Sequence, residues 1–155
     1  MHPVFKEYID SLEPSFQQLL NMKQVTVATL PKEIPQSGIY LFSENGKHLY
    51  VGRTNTIRKR LQNHCRPSSG HNSATFAFRL TREITGITQA TYVTDGSRAN
   101  LELDATFGPE FIKQKKRVRE MHVRYVSEPE PMRQALLEMY VSVSLGTPHN
   151  NFDNH

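Results

Sequence analysis

The sequence predicts an α/β chain of the α+β kind, with a small, mostly antiparallel three-stranded central sheet flanked by helices. Two observations predict it. Alternating runs at Gly38–Ser43 and Lys47–Gly52 flank Glu44-Asn45-Gly46 and read as a β-hairpin. A third alternating run, MHVRYVS from Met121 to Ser127, reads as a further strand. The 155 residues fit one compact domain, expected to span 1–155. Its parts are an N-terminal helix and linker (1–36), the hairpin with its following helix (37–65), an inserted segment (66–118), and a third strand, last helix and tail (119–155).

Each element has a local reason. Val4, Phe5, Ile9, Leu12, Phe16, Leu19 and Leu20 recur mostly at helical spacing, so residues 4–20 read as one amphipathic helix. QVTVATL, from Gln24 to Leu30, is a short strand candidate before a Pro-bounded linker. In the hairpin, a three-residue loop Glu44-Asn45-Gly46 pairs Tyr40 with Tyr50, Ile39 with Val51 and Leu41 with Leu49. That register places Ile39, Leu41, Leu49 and Val51 on one face, and Tyr40, Phe42, His48 and Tyr50 on the other. A two-residue Asn-Gly turn pairs Tyr40 with Val51 and Leu41 with Tyr50 and mixes the faces, so the longer loop is the expectation. Thr54 or Asn55 caps a helix running to His64 or Cys65. Residues 72–85 and 98–118 read as helices, with TQATYV (88–93) as a strand between them. Pro129 and Pro131 open a final helix, about 131–145, which Gly146-Thr147-Pro148 ends.

Composition narrows the function classes. Hydrophobic residues make up 37% and the mean hydropathy is −0.57, with no apolar run near the ~20 residues a bilayer crossing needs. MHPVFKEYIDSLEPSF carries acids and lacks an apolar stretch, so a signal peptide is not expected. A single cysteine, Cys65, forms no internal disulfide; an intracellular, reducing compartment is the expectation, with Cys65 as a buried small hydrophobe. The net charge of +4 and pI near 9.3 suit a polyanionic partner. His2, His48, His122, His149 and His155 show no zinc spacing, and no second cysteine accompanies them.

Gly38-Ile39-Tyr40 and Tyr50-Val51-Gly52 form a paired tripeptide signature on the hairpin. Arg60 lies ten residues after Tyr50, and His64 fourteen after. Leu137-Glu138 precedes Pro148-His149-Asn150, with Glu138 twelve residues before Asn150. Five elements in this order resemble the GIY-YIG nuclease family, with valine where the second tripeptide has isoleucine. The resemblance covers about 37–65 and 119–151; the 66–118 segment has no counterpart in it. It implies a stand-alone catalytic domain with an extended insertion. Tyr40 is then the general base, Arg60 the catalytic arginine, His64 the helix histidine, Glu138 the metal ligand and Asn150 the closing asparagine. It further implies endonucleolytic hydrolysis of DNA phosphodiester bonds with one Mg²⁺ or Mn²⁺, leaving 5′-phosphate and 3′-hydroxyl ends.

The residue types suit that chemistry. Arg60 is permanently charged, and its planar fork matches phosphate oxygens. Glu138 sits in the apolar run Ala-Leu-Leu-Glu-Met-Tyr-Val. A lone carboxylate can hold Mg²⁺, which keeps several waters and takes phosphate oxygens as well. A tyrosine near pKa 10 is a poor base at neutral pH unless adjacent cations favour phenolate. Tyr50 takes a supporting role beside Tyr40, orienting water or phosphate. His64 relays a proton, binds phosphate, or is an ordinary surface helix histidine. Gly38 and Gly52 permit close approach near the site, and Arg53 is a backbone contact for DNA. Lys113, Lys115, Lys116, Arg117 and Arg119 form a basic run, with Lys115, Lys116 and Arg117 as candidate phosphate contacts. His71 is a weak further candidate. DNA is the expected partner, with RNA as the alternative; membrane association is not expected. The rival readings are a non-catalytic nucleic-acid-binding module on the same fold and a protein-interaction domain. Oligomeric state is not readable from the sequence.

Overall fold

The computed structural model describes residues 1–87 and 97–153. The expected strand 88–93 and His155 lie outside them. The chain divides into two compact units, residues 1–58 with 122–155, and residues 59–121.

The first unit is a sheet packed with helices. Its elements are α1 (Pro3–Asp10), α2 (Glu13–Asn21), β1 (Gly38–Glu44), β2 (Lys47–Thr54), the start of α3 (Ile57–Cys65), β3 (His122–Ser127) and α7 (Pro131–Leu145). The sheet is antiparallel with order β2-β1-β3, so β1 is central. The helix expected over 4–20 is two helices. Pro14 explains the break, because a proline inside a helix removes a hydrogen bond and clashes with the carbonyl four residues earlier; here it stands in the first turn of α2. The strand expected at Gln24–Leu30 is one bridge, Val25 to Val123, followed by a single 3₁₀ turn at Val27–Thr29.

The hairpin corrects the expected register. The turn is the two-residue Asn45-Gly46, closed by Glu44 opposite Lys47. Both turn residues have positive φ, 52° and 75°, as a type I′ turn requires. The pairing then slips between Phe42 and Ser43, leaving Leu49 as an extra residue on β2. Beyond this bulge Phe42 faces Tyr50, Leu41 faces Val51 and Tyr40 faces Gly52. A short turn plus one bulge shifts the expected pairing by two residues, and a shift of two preserves the faces. Ile39, Leu41 and Val51 therefore still share one face and join Leu12, Phe16, Leu19, Val126, Leu137 and Val141 in the core under α2 and α7. Tyr40, Phe42 and Tyr50 share the other.

α7 has the expected bounds. Glu130 caps it by accepting from the backbone N–H of Met132 and Arg133, and Gly146 ends it in the left-handed region at φ 61°.

The second unit is helical: the rest of α3, α4 (Thr75–Thr85), α5 (Arg98–Leu103) and α6 (Phe107–Glu120). Phe78, Phe107 and Phe111 form its aromatic centre, with Phe78 5.0 and 5.4 Å from the other two rings. The helix expected over 98–118 is interrupted after Leu103. The Asp104 carboxylate accepts from the backbone N–H of Thr106 and Phe107, and so opens α6. No helix among the described residues is long and apolar enough to cross a membrane.

Candidate active site

The two signature tyrosines stand on one face of the hairpin, with ring centroids 6.4 Å apart. They are diagonal neighbours, since Tyr40 faces Gly52 and Tyr50 faces Phe42. Tyr40 is buried and Tyr50 is half-buried. A side chain at Gly52 would displace the Tyr40 phenol, because a Cβ built there falls 2.2 Å from the Tyr40 hydroxyl oxygen. The glycine leaves room for the end of the Tyr40 ring beside β2. Gly38 serves a similar end, because a Cβ there falls 1.9 Å from the Val126 carbonyl oxygen.

Glu138 reaches the next residue of β2. Its Oε2 lies 3.2 Å from Arg53 Nε. The Glu138 side chain keeps 19% of its exposure and that of Arg53 49%, so the pair is held at the rim of the core. Burial pushes the Glu138 carboxyl above its ordinary value, and the Arg53 guanidinium opposes that shift. By strand alternation Arg53 belongs to the face of Ile39 and Val51, and Tyr40 to the opposite face. The phenol and the carboxylate are thus anchored at consecutive residues, Gly52 and Arg53, of one edge strand.

Asn150 secures that strand. Its Oδ1 accepts from the Val51 N–H at 3.0 Å, and its Nδ2 donates to the Val51 carbonyl at 2.7 Å. Thr147 Oγ1 donates to the same Oδ1, and the His149 N–H donates to the Leu49 carbonyl. The side-chain amide acts as a fourth-strand residue along the outer edge of β2.

The remaining sequence candidates belong to the helical unit. Arg60 donates from Nη1 to the Ser73 carbonyl at 3.1 Å and from Nη2 to Thr75 Oγ1 at 2.9 Å, which ties it to the start of α4. His64 is fully buried, which removes the surface-histidine reading. Burial, then the neighbouring Arg60 charge, holds its pKa well below 6.5. His71 Nδ1 lies 2.8 Å from Glu102 Oε2. Cys65 is buried and its thiol is pushed up by burial.

Lys115 requires a correction. It is buried, its ammonium donates to the carbonyls of Pro67 and Ser69 at 2.6 and 2.8 Å, and it lies 4.4 Å from the centre of the Phe111 ring. Its charge is used inside the protein and is not offered to DNA. Lys116 is exposed and Arg117 half-buried.

Sequence reasoning missed two features. Tyr125 pairs directly with Tyr40 across β1–β3, so a third phenol stands on the tyrosine face. Its alternation with Arg124 and Val126 in MHVRYVS was the available signal. The Arg53–Glu138 contact joins residues 85 positions apart and had no local signal.

The first unit is a small α+β domain whose hairpin carries paired tyrosines, one of them over a glycine, with a helix-borne carboxylate against its edge strand. Residues 36–102 match the family model described as the GIY-YIG catalytic domain, which supports a GIY-YIG nuclease family domain over that segment. The match includes Gly38, Tyr40, Tyr50, Gly52, Arg53, Arg60 and His64, and runs well into the segment read as an insertion. Glu138 and Asn150 lie beyond it. No curated protein and no solved structure matches the chain.

Proposed function

We propose that this chain is a divalent-metal-dependent endonuclease that hydrolyses phosphodiester bonds of DNA. A nuclease family domain implies a nucleic-acid substrate. The observation that carries the finer reading is the Gly52–Arg53 step of β2, where two consecutive residues of the edge strand meet the Tyr40 phenol on one face and the Glu138 carboxylate on the other.

The donor set fits one hard cation. Among the described residues no three His, Cys, Asp or Glu side chains gather as a metal cluster. Glu138 offers a carboxylate, which suits Mg²⁺ or Mn²⁺ completed by water and phosphate oxygens. A bound ion would supply Lewis-acid stabilisation of the charge that builds on phosphorus oxygens.

The protein's own groups supply the rest. Tyr40 Oη holds and accepts the proton of the attacking water, with Tyr50 orienting that water or the phosphate. With Tyr40 starting as the phenolate, the water oxygen bonds to phosphorus as its proton passes to Tyr40 Oη, the bond from phosphorus to O3′ breaks, and O3′ leaves taking a proton from solvent water. Arg60, assigned by its offset from Tyr50, contributes a fixed positive charge to the transition state. His64 is buried beside Arg60 on α3 and neutral near pH 7.

The test is a cleavage assay on single-stranded, duplex and branched DNA and on RNA, with Mg²⁺, Mn²⁺ or EDTA. The expected result is metal-dependent cutting of DNA that EDTA abolishes and Tyr40→Phe removes. Salt-dependent binding without any cleavage would instead establish a non-catalytic binding module.

A further inference from the structure

Arg53 and Glu138 are bonded to each other, yet the nuclease reading gives them different ligands. One is a phosphate contact and the other a metal ligand. A guanidinium at one carboxylate oxygen competes with a cation for that carboxylate, and a cation placed there repels the guanidinium.

Among the described residues, Arg53 is held by one ion pair. Its Nε meets Glu138 Oε2 at 3.2 Å, and about half of its side chain faces solvent. Arg133, in the same unit, shows the opposite arrangement. It meets Glu128 at 2.9 Å, donates to the Ser11 hydroxyl and carbonyl, and lies over the Tyr8 ring. Arg133 is fixed by several partners at once; Arg53 is not.

We infer that Arg53 is an exchange cation: it occupies the Glu138 carboxylate until a divalent ion takes that position, and is then released to a DNA backbone phosphate. The inference rests on the proposed nuclease reading. It makes metal binding and DNA binding mutually reinforcing, and such coupling is reciprocal by linkage. It also makes Arg53 a determinant of the order in which the site fills.

A double-mutant cycle over Arg53 and Glu138 tests it, with circular dichroism confirming the fold of each variant. Two readouts are taken: affinity for a duplex oligonucleotide in EDTA, and affinity for Mn²⁺ alone by electron paramagnetic resonance. Glu138→Gln frees Arg53 and should tighten DNA binding in EDTA by about fivefold, the upper end for a partly exposed ion pair. In an Arg53→Ala background the same change should tighten it far less. Simple relief of repulsion between Glu138 and phosphate would give equal factors in both backgrounds, and that result overturns the inference. For Mn²⁺, Arg53→Ala should tighten binding severalfold, and Glu138→Gln should remove it. Mn²⁺ binding that ignores Glu138→Gln removes the metal assignment, and the exchange with it. Loss of Mn²⁺ binding in Glu138→Gln without coupling in the cycle leaves the metal assignment standing and overturns the exchange alone.

Discussion

Glu138 on α7 and Lys115 on α6 are both charged groups drawn into apolar surroundings, and they are satisfied in different ways. Lys115 places its ammonium between two carbonyls and beside an aromatic ring. Glu138 has a single half-exposed arginine. A buried charge with its hydrogen bonds filled holds a loop in place. A charge held by one loose partner retains capacity for a ligand. Position in sequence does not separate the two; the number of partners does.

The comparison breaks most visibly at Glu138. Glu138→Gln keeps the size and the helix propensity of the side chain. Cleavage should fall by orders of magnitude, since each ~1.4 kcal/mol of forfeited transition-state stabilisation is tenfold in rate. Thermal unfolding should scarcely move. Undiminished cutting in Mg²⁺ would return Glu138 to the status of an ordinary helix residue.

Lys115→Met is the converse. It keeps the apolar stem and strands the carbonyls of Pro67 and Ser69, so it should cost about 1–3 kcal/mol. Calorimetry should show this as a lower Tm, about 2–4 °C per kcal/mol for a chain of this size. DNA affinity of the folded variant should be unchanged. A Tm equal to that of the parent, with weakened DNA binding, would restore Lys115 to the phosphate contacts.

His64 sharpens the contrast through pH. Its pKa in the folded state lies well below 6.5, so the unfolded chain binds the extra proton between the two values. Stability from this group is therefore complete above about pH 6.5 and is lost as the pH falls below it, at up to about 1.4 kcal/mol per pH unit. His64→Gln should flatten that part of the stability profile in urea titrations from pH 7 to 5. A profile identical to that of the parent would show that His64 takes no part in it.

The smallest effect concerns the members of the basic run that still reach solvent. Neutralising Lys116 and Arg117 should weaken binding to all DNA sequences alike. It should also make the log–log salt dependence shallower by up to about 0.9 for each phosphate no longer neutralised. An unaltered slope would make the outer face of α6 merely solvated.

Much of the fold is legible in the sequence, and the misses have specific causes. The bounds of α7 follow from Pro131 and Gly146, which act through local backbone constraints. The hairpin faces are also legible, whereas the register is not. Segregation of Ile39, Leu41 and Val51 from Tyr40 and Tyr50 demands only an even offset. A three-residue loop meets that demand, and so does a two-residue turn followed by a bulge at Leu49. Residue pattern cannot choose between them. The split at Pro14 is readable but is outweighed by the apolar periodicity on either side. Tyr40, Tyr50, Gly52 and Arg60 stand out as a motif, but burial of Lys115 and the pairing of Arg53 with Glu138 depend on tertiary contacts that no local pattern encodes.

Asn150 has a consequence unrelated to catalysis. β2 lies at the border of the sheet, and a border strand with open N–H and carbonyl groups is a template on which another chain can add a strand. The Asn150 amide fills both groups of Val51, and the His149 N–H fills the Leu49 carbonyl. The tail thereby acts as a seal against intermolecular strand addition. Replacing Asn150 with alanine would leave a vacant backbone pair in the middle of a Val- and Leu-bearing strand, and the cost would appear first as self-association on storage.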